Sequence, residues 1–405
     1  MAPASVVGRG QPMNYPDCVP LTRRSALALL AVSGLTGCSF SPIVWESTEA
    51  NPDGEESGAA GKEVRPDYFA QSPDSDARTL DEGAMSSQWV STPHFDARLD
   101  RTFVGAELGA KTSRQVREPT PIRAPEGHEL VAFTMEAGSP VFGDGGKDGG
   151  EHVAQVAIEV NEAIKLPLTA PFGVFSPAEG YARPWALVIL CVRQGESVKL
   201  AVRDEGKTVR VDLRTGAPEV DADWAATRGF RERVTIGVSE TSAVLRRDIQ
   251  TDKVNDQVQR SNFRLGLKPD AGGGLVPWLT TEGWAPDGSQ WLYVKMNALV
   301  TFTPATPAII LTLDVPRSFV YQAGTSTPIE AQPLEGGITT EQIQRESKTL
   351  DVTWSIPDGD TEARLTCNPV GRMVARYTDH PDVAAQFIGA PQQVMFRLKF
   401  TPMER

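Results

Sequence analysis

Histidine is scarce in this chain. His94, His128, His152 and His380 are the whole complement, and no two stand at the helical spacing that binds zinc in metalloproteases. Cysteine is equally rare, at four residues, and no pair has zinc-finger spacing. There is no Gly-x-Ser-x-Gly elbow, no P-loop and no strand–turn–helix dinucleotide motif. The common hydrolase, nucleotide-binding and metalloenzyme classes lose their usual signatures together, and no cofactor is implied. Cations are short as well: 40 Lys and Arg face 52 Asp and Glu, a formal net charge of −12. Binding to phosphate backbones needs clustered Lys and Arg, so nucleic acid is excluded as a partner. The same balance opposes adsorption of the whole body to anionic lipid. No apolar run reaches the roughly 20 residues of a spanning helix.

Turn formers are plentiful instead. The 36 Gly and 31 Pro predict many turns and few long helices. The apolar fraction, 40%, is ordinary for a globular chain, so a sizeable core is available.

The N-terminal stretch carries the most specific pattern. Thr22-Arg23-Arg24-Ser25 precedes an apolar run from Ala26 to Thr36, which ends in Leu35-Thr36-Gly37-Cys38. A charged start, a short apolar middle and a small-residue end are the parts of an export signal. The pair Arg23-Arg24 resembles a twin-arginine signal, and Leu-x-Gly-Cys resembles the lipobox of bacterial lipoproteins. The resemblance covers only the first 38 residues. It implies that Cys38 is lipidated on its sulfur and becomes the mature N-terminus. It also implies an anchor with more than one acyl chain, which stable attachment requires. Ala26 stands where twin-arginine signals often carry a large apolar residue, so the export route stays open between twin-arginine and general secretion. The expected location is the outer face of the cytoplasmic membrane, within the cell envelope.

From Ser39 to about Ala84 the chain is rich in Glu, Asp, Ser, Gly and Pro, as in Asn51-Pro52-Asp53-Gly54-Glu55-Glu56. Low hydrophobicity with like charges predicts a disordered tether, able to span roughly 35–40 Å. The remaining length suits about two domains. A possible internal repeat divides it, with matches at a spacing of about 160 residues. Ala124-Pro125-Glu126-Gly127 before Leu130–Met135 matches Ala285-Pro286-Asp287-Gly288 before Trp291–Met296. Ser197–Leu213 lies against Glu362–Thr378, Pro218–Ala222 against Pro381–Ala385, and Val234–Val238 against Val394–Leu398.

Both copies read as β. Val198, Leu200 and Val202 alternate with Lys199, Ala201 and Arg203, and Val209, Val211 and Leu213 repeat the pattern after an Asp204-Glu205-Gly206 turn. Period two with one apolar face marks half-buried strands. Val156, Ile158 and Val160 behave alike, as do Ile309, Leu311, Leu313 and Val315, and Val394, Phe396, Leu398 and Phe400. Trp185–Val192 is apolar on both faces, which suits a central strand. The expected fold is all-β: two tandem, internally duplicated, immunoglobulin-like β-sandwich domains of about seven strands each. The divisions are a signal over 1–37, a tether over 38–84, and sandwiches over 85–240 and 241–405. Between the copies Ser239 to about Asn255 is polar and shows no linker helix.

Candidate chemistry is sparse. Gly143–His152 offers oxygens to a calcium ion, but its spacing is not an EF-hand and Lys147 interrupts it; a loop between strands is the simpler reading. Trp278, Trp284 and Trp291 either stack on glycan rings or fill the core. Paired carboxylates suit a glycosidase, yet with 52 acidic residues no pair stands out. Cys191 and Cys367 either bridge the two copies or serve as small buried hydrophobes, the role the repeat gives Cys367 at the position of Val202. The sequence therefore predicts a non-catalytic binding or assembly module of the envelope, its partner another envelope protein or a glycan. Glycan hydrolysis is the alternative.

Overall fold

The alternating runs fold as the period-two pattern requires. The structure, a computed structural model, describes residues 61–72, 77–140, 153–173, 175–176, 180–239, 243–269, 273–303, 307–332, 340–343 and 347–404. Arg23, Arg24, Cys38 and the Gly143–His152 loop lie outside these residues. Strands dominate, and the described helices are four short pieces of four or five residues. The fold is all-β.

In the first half a five-stranded antiparallel sheet runs Phe69–Gln71, Trp185–Arg193, His128–Ala137, Phe95–Gly105, Ala84–Thr92. A four-stranded sheet, Lys207–Asp212, Val198–Asp204, Gln155–Val160, Ile164–Pro167, shares a core with it. Leu99, Phe133, Val188 and Leu190 from one sheet meet Ile158, Leu200 and Val211 from the other. The central strand also buries its second face. Leu187, Ile189 and Cys191 pack with Val64, Ala77, Leu80, Leu108 and Ile122. That third layer explains why Trp185–Val192 is apolar on both sides.

The third layer also corrects the predicted tether. Residues 61–72 and 77–84 belong to the folded body: Lys62–Glu63 pairs in parallel with Ile122–Arg123, and Phe69–Gln71 edges the central sheet. Val64, Tyr68, Ala77 and Leu80 supply the apolar surface that offsets the cost of ordering them. The acidic composition around them hides these few anchors.

The second half is built on a nine-stranded sheet. Its order is Gly274–Val276, Ser289–Thr303, Arg260–Pro269, Ala243–Thr251, Val383–Ile388, Gly371–Arg376, Ala308–Asp314, Thr340–Ile343, with Ser347–Pro357 also paired to Ser289–Thr303. A five-stranded sheet runs Val234–Val238, Val394–Pro402, Glu362–Cys367, Phe319–Gln322, Ile329–Glu330. The two share a core that includes Phe263, Leu311, Tyr321, Trp354 and Phe396. Ile309, Leu311, Leu313 and Val315 are all buried, as their spacing predicts.

The predicted boundary at residue 240 moves a few residues earlier, because Val234–Val238 pairs with Val394–Pro402. Those two segments match in sequence, but they are neighbours in one sheet rather than equivalent strands of two domains. The Ser239–Asn255 junction contains the strand Ala243–Thr251. Ser57–Arg405 forms one compact unit. Of the four sequence matches, the first keeps its conformation. Pro125 and Pro286 each accept a hydrogen bond from the residue three on, and Gly127 and Gly288 share a φ of 74°. Each turn leads into an interior strand. The second match does not keep its conformation: Val198–Asp204 and Lys207–Asp212 form a hairpin, whereas Glu362–Cys367 and Gly371–Arg376 lie in different sheets. The third pairs a helix start at Ala222 with the strand Val383–Ile388.

Cys191 and Cys367 are free and buried in separate clusters. Burial, with Asp67 nearby, pushes the Cys191 thiol up to about 11. Complete burial pushes the Cys367 thiol up as well. Both act as small hydrophobes.

One buried carboxylate makes stability depend on pH. Glu159, 5% exposed, accepts from Arg210 Nε at 2.8 Å and lies 3.1 Å from Lys165 Nζ. Burial pushes its carboxyl up, but Arg210 and Lys165 outweigh burial and hold it below its ordinary 4.5. Because the folded pKa is depressed, this stability is present above the unfolded carboxylate range and is lost as pH falls through the folded value. Urea midpoints measured from pH 6 downward should fall once pH passes below about 4.5. Glu159→Gln should make that fall shallower.

Candidate functional site

Two hairpin tips of the first half meet the tryptophan cluster of the second. The first tip is Thr92-Pro93-His94-Phe95, closed by the Thr92↔Phe95 pair. The second is Asp204-Glu205-Gly206-Lys207, closed by Asp204↔Lys207. Its central residues have φ of 46° and 79°, the twist that suits a two-residue hairpin. For Glu205 this is a strained conformation, so neighbouring contacts must hold it.

Those contacts begin with Asp204. Its Oδ2 accepts from Thr92 Oγ1 and from the His94 backbone N–H, both at 2.7 Å. Its Oδ1 lies 2.8 Å from His94 Nδ1. An imidazole nitrogen and a carboxylate oxygen this close share a proton between them. The two side chains are 3% and 4% exposed. Glu205 Oε1 stands 3.7 Å from the same Nδ1, and the His94 ring meets Trp278 edge-on with centroids 5.3 Å apart.

A second knot surrounds Asp96, whose side chain is 2% exposed. Ser91 Oγ donates to Oδ1 at 2.5 Å. Oδ2 accepts from the Ser139 N–H at 2.9 Å and from Arg233 at 2.7 Å. Arg233 also donates to the Ser139 carbonyl. A side chain at Gly138 would strike Asp96, its Cβ falling 2.1 Å from Oδ2, so only glycine fits there. Burial, reinforced by Asp96, pushes the neighbouring Tyr181 phenol up.

His94, Asp204 and Glu205 have the residue types of a metal site, with ligand atoms within 4.8 Å of one another. Part of that donor set is already engaged: a metal needs free carboxylate lone pairs, and Asp204 accepts from the Thr92 hydroxyl and the His94 N–H while facing His94 Nδ1. A His–Asp pair is also two of the three members of a nucleophilic triad, but both side chains here are buried and the ring meets Trp278 edge-on. The arrangement acts as a latch between the two halves.

The three tryptophans complete that latch. Trp278 and Trp291 are 4% and 5% exposed and share a cluster with Phe230, Val276, Leu279 and Tyr293. Trp284 is half-buried, donates to the Glu205 carbonyl at 2.8 Å, and has Lys207 Nζ 5.0 Å from its ring centre. Trp291 donates to the Gly283 carbonyl at 3.0 Å. The buried rings of Trp278 and Trp291 offer no platform to a sugar, which corrects the glycan-stacking expectation for those two. Sequence reasoning saw His94 only as a zinc-less histidine and Asp204 only as a turn residue. A Glu at a two-residue hairpin turn was the one available signal.

Comparison with protein-family models, with curated proteins and with solved structures found no match to this chain.

Proposed function

We propose that this chain is an exported lipoprotein, anchored through Cys38 to the outer face of the cytoplasmic membrane, whose body is a non-catalytic binding or assembly module of the envelope. One observation carries the proposal: Leu35-Thr36-Gly37-Cys38 stands directly behind Arg23-Arg24 and a short apolar run. Two features support the second part. In the one cluster of metal-ligand residues among the described residues, Asp204 is held by three internal contacts. The aromatic cluster is core. We read the body further as two immunoglobulin-like sandwiches, each closed around its own core; of the expected duplication, the Pro–acid–Gly turn before an interior strand is the part kept in both halves.

The test is metabolic labelling with a palmitate analogue, followed by fractionation. The wild-type chain should take the label and pellet with membranes. Cys38→Ala should lose the label, because the thiol that accepts the lipid is gone. A wild-type chain that stays unlabelled, with its leader attached and in the soluble fraction, overturns the reading.

A further inference from the structure

The outer face of the nine-stranded sheet carries rows that the hydrogen-bond register lines up across three strands. In one row Val244, Gly266 and Leu299 are direct partners. Val244 is 45% and Leu299 55% exposed, and Gly266 leaves the space between them open. In the next row, two residues along and about 7 Å away, stand Arg246, Arg264 and Thr301. Lys268 and Asn297 flank the apolar row on its other side. Two grooves follow these rows. A small one, about 220 Å3, is lined by Val244, Gly266 and Leu299. A larger one, about 620 Å3, is lined by Arg246, Arg264, Asn262 and Thr301.

The cationic row is anomalous. Like charges directly opposite one another destabilise a sheet, and Arg246 faces Arg264 with Cβ atoms about 5 Å apart. Among the described residues neither arginine, nor Lys268, makes an ion pair, although Asp248 lies beside the two arginines. In a chain with a net charge of −12, three such cations beside an exposed apolar strip form a local exception. An anion seated between two guanidinium forks would remove the repulsion and use their donors.

We propose that this face binds an anionic amphiphile, with a phosphate head between Arg246 and Arg264 and an apolar body along Val244 and Leu299. Charge complementarity selects the head, and the adjoining exposed apolar row selects the body. The proposal names a ligand class for the binding module and rests on that reading. Labelling at Cys38 tests the anchor and ligand titration tests this face, so either can fail alone.

The experiment titrates the full chain carrying Cys38→Ala with dihexanoyl phosphatidic acid, kept monomeric, with dihexanoyl phosphatidylcholine and inorganic phosphate as comparisons. Phosphatidic acid should bind saturably and at least tenfold more tightly than either. Arg246→Gln should weaken it at least tenfold, and Leu299→Ser severalfold. Arg264→Glu places an acid opposite Arg246; it should abolish binding while leaving the melting temperature equal or higher, which separates ligand loss from misfolding. Absence of saturable binding, affinity unchanged by both arginine variants, or inorganic phosphate binding as tightly as the lipid would each overturn the proposal.

Discussion

Asp204→Ala should lower the unfolding free energy by about 3–5 kcal/mol, the cost of breaking a buried charged network by removing one member. The carboxylate is 4% exposed and receives three protein donors: the Thr92 hydroxyl, the His94 N–H and His94 Nδ1. Alanine strands all three in a site closed to water, and each buried orphan costs about 1–3 kcal/mol. Asp204→Asn should cost less, because the amide oxygen still accepts two of the three bonds and only the pairing with Nδ1 is disturbed. Urea unfolding followed by tryptophan fluorescence is the measurement, since Trp278 touches His94 and reports on the latch. If the two variants unfold at the wild-type midpoint, the latch is not stabilising the body.

Arg233→Ala should cost about 2–4 kcal/mol, somewhat less than the fully buried case because Arg233 is 23% exposed. Its removal leaves Asp96 buried with Ser91 and the Ser139 N–H but without a cation. The second change that tests the explanation is Asp96→Asn. In the double variant no charge is left unpaired, so the combined loss should be smaller than the sum of the single losses. Simple additivity would show that Arg233 and Asp96 do not act together. Since Arg233 precedes the Val234–Val238 strand of the second half, the single variant should also raise protease sensitivity at the seam.

What could be read from the chain depended on whether the signal was local. The Val198–Leu213 hairpin, the interior strand Trp185–Arg193 and the buried face of Ala308–Asp314 were all legible, because period-two alternation is written in consecutive residues. The boundary at 240 was placed a few residues late for the opposite reason. Val234–Val238 is an ordinary strand by pattern, and nothing near it says that its partner is Val394–Pro402. The tether was misread because Val64, Leu80 and their neighbours are few among acids and prolines. The latch was illegible because His94 and Asp204 are 110 residues apart. Only the Glu beside Asp204 at its turn is unusual, and only the topology brings the hairpin tips together. The tryptophan cluster was visible, but exposure decides between stacking and packing, and exposure is a tertiary property.

The pairing of Val234–Val238 with Val394–Pro402 sets the order of events at birth. The ribbon Val234–Val238 is made before its neighbour Val394–Pro402. Until that later segment emerges, the ribbon has an open hydrogen-bonding edge, which is a hazard for mispairing with other chains. A nascent chain must therefore stay shielded or slow to collapse until the later strand arrives, and one stopped before it keeps the edge for good.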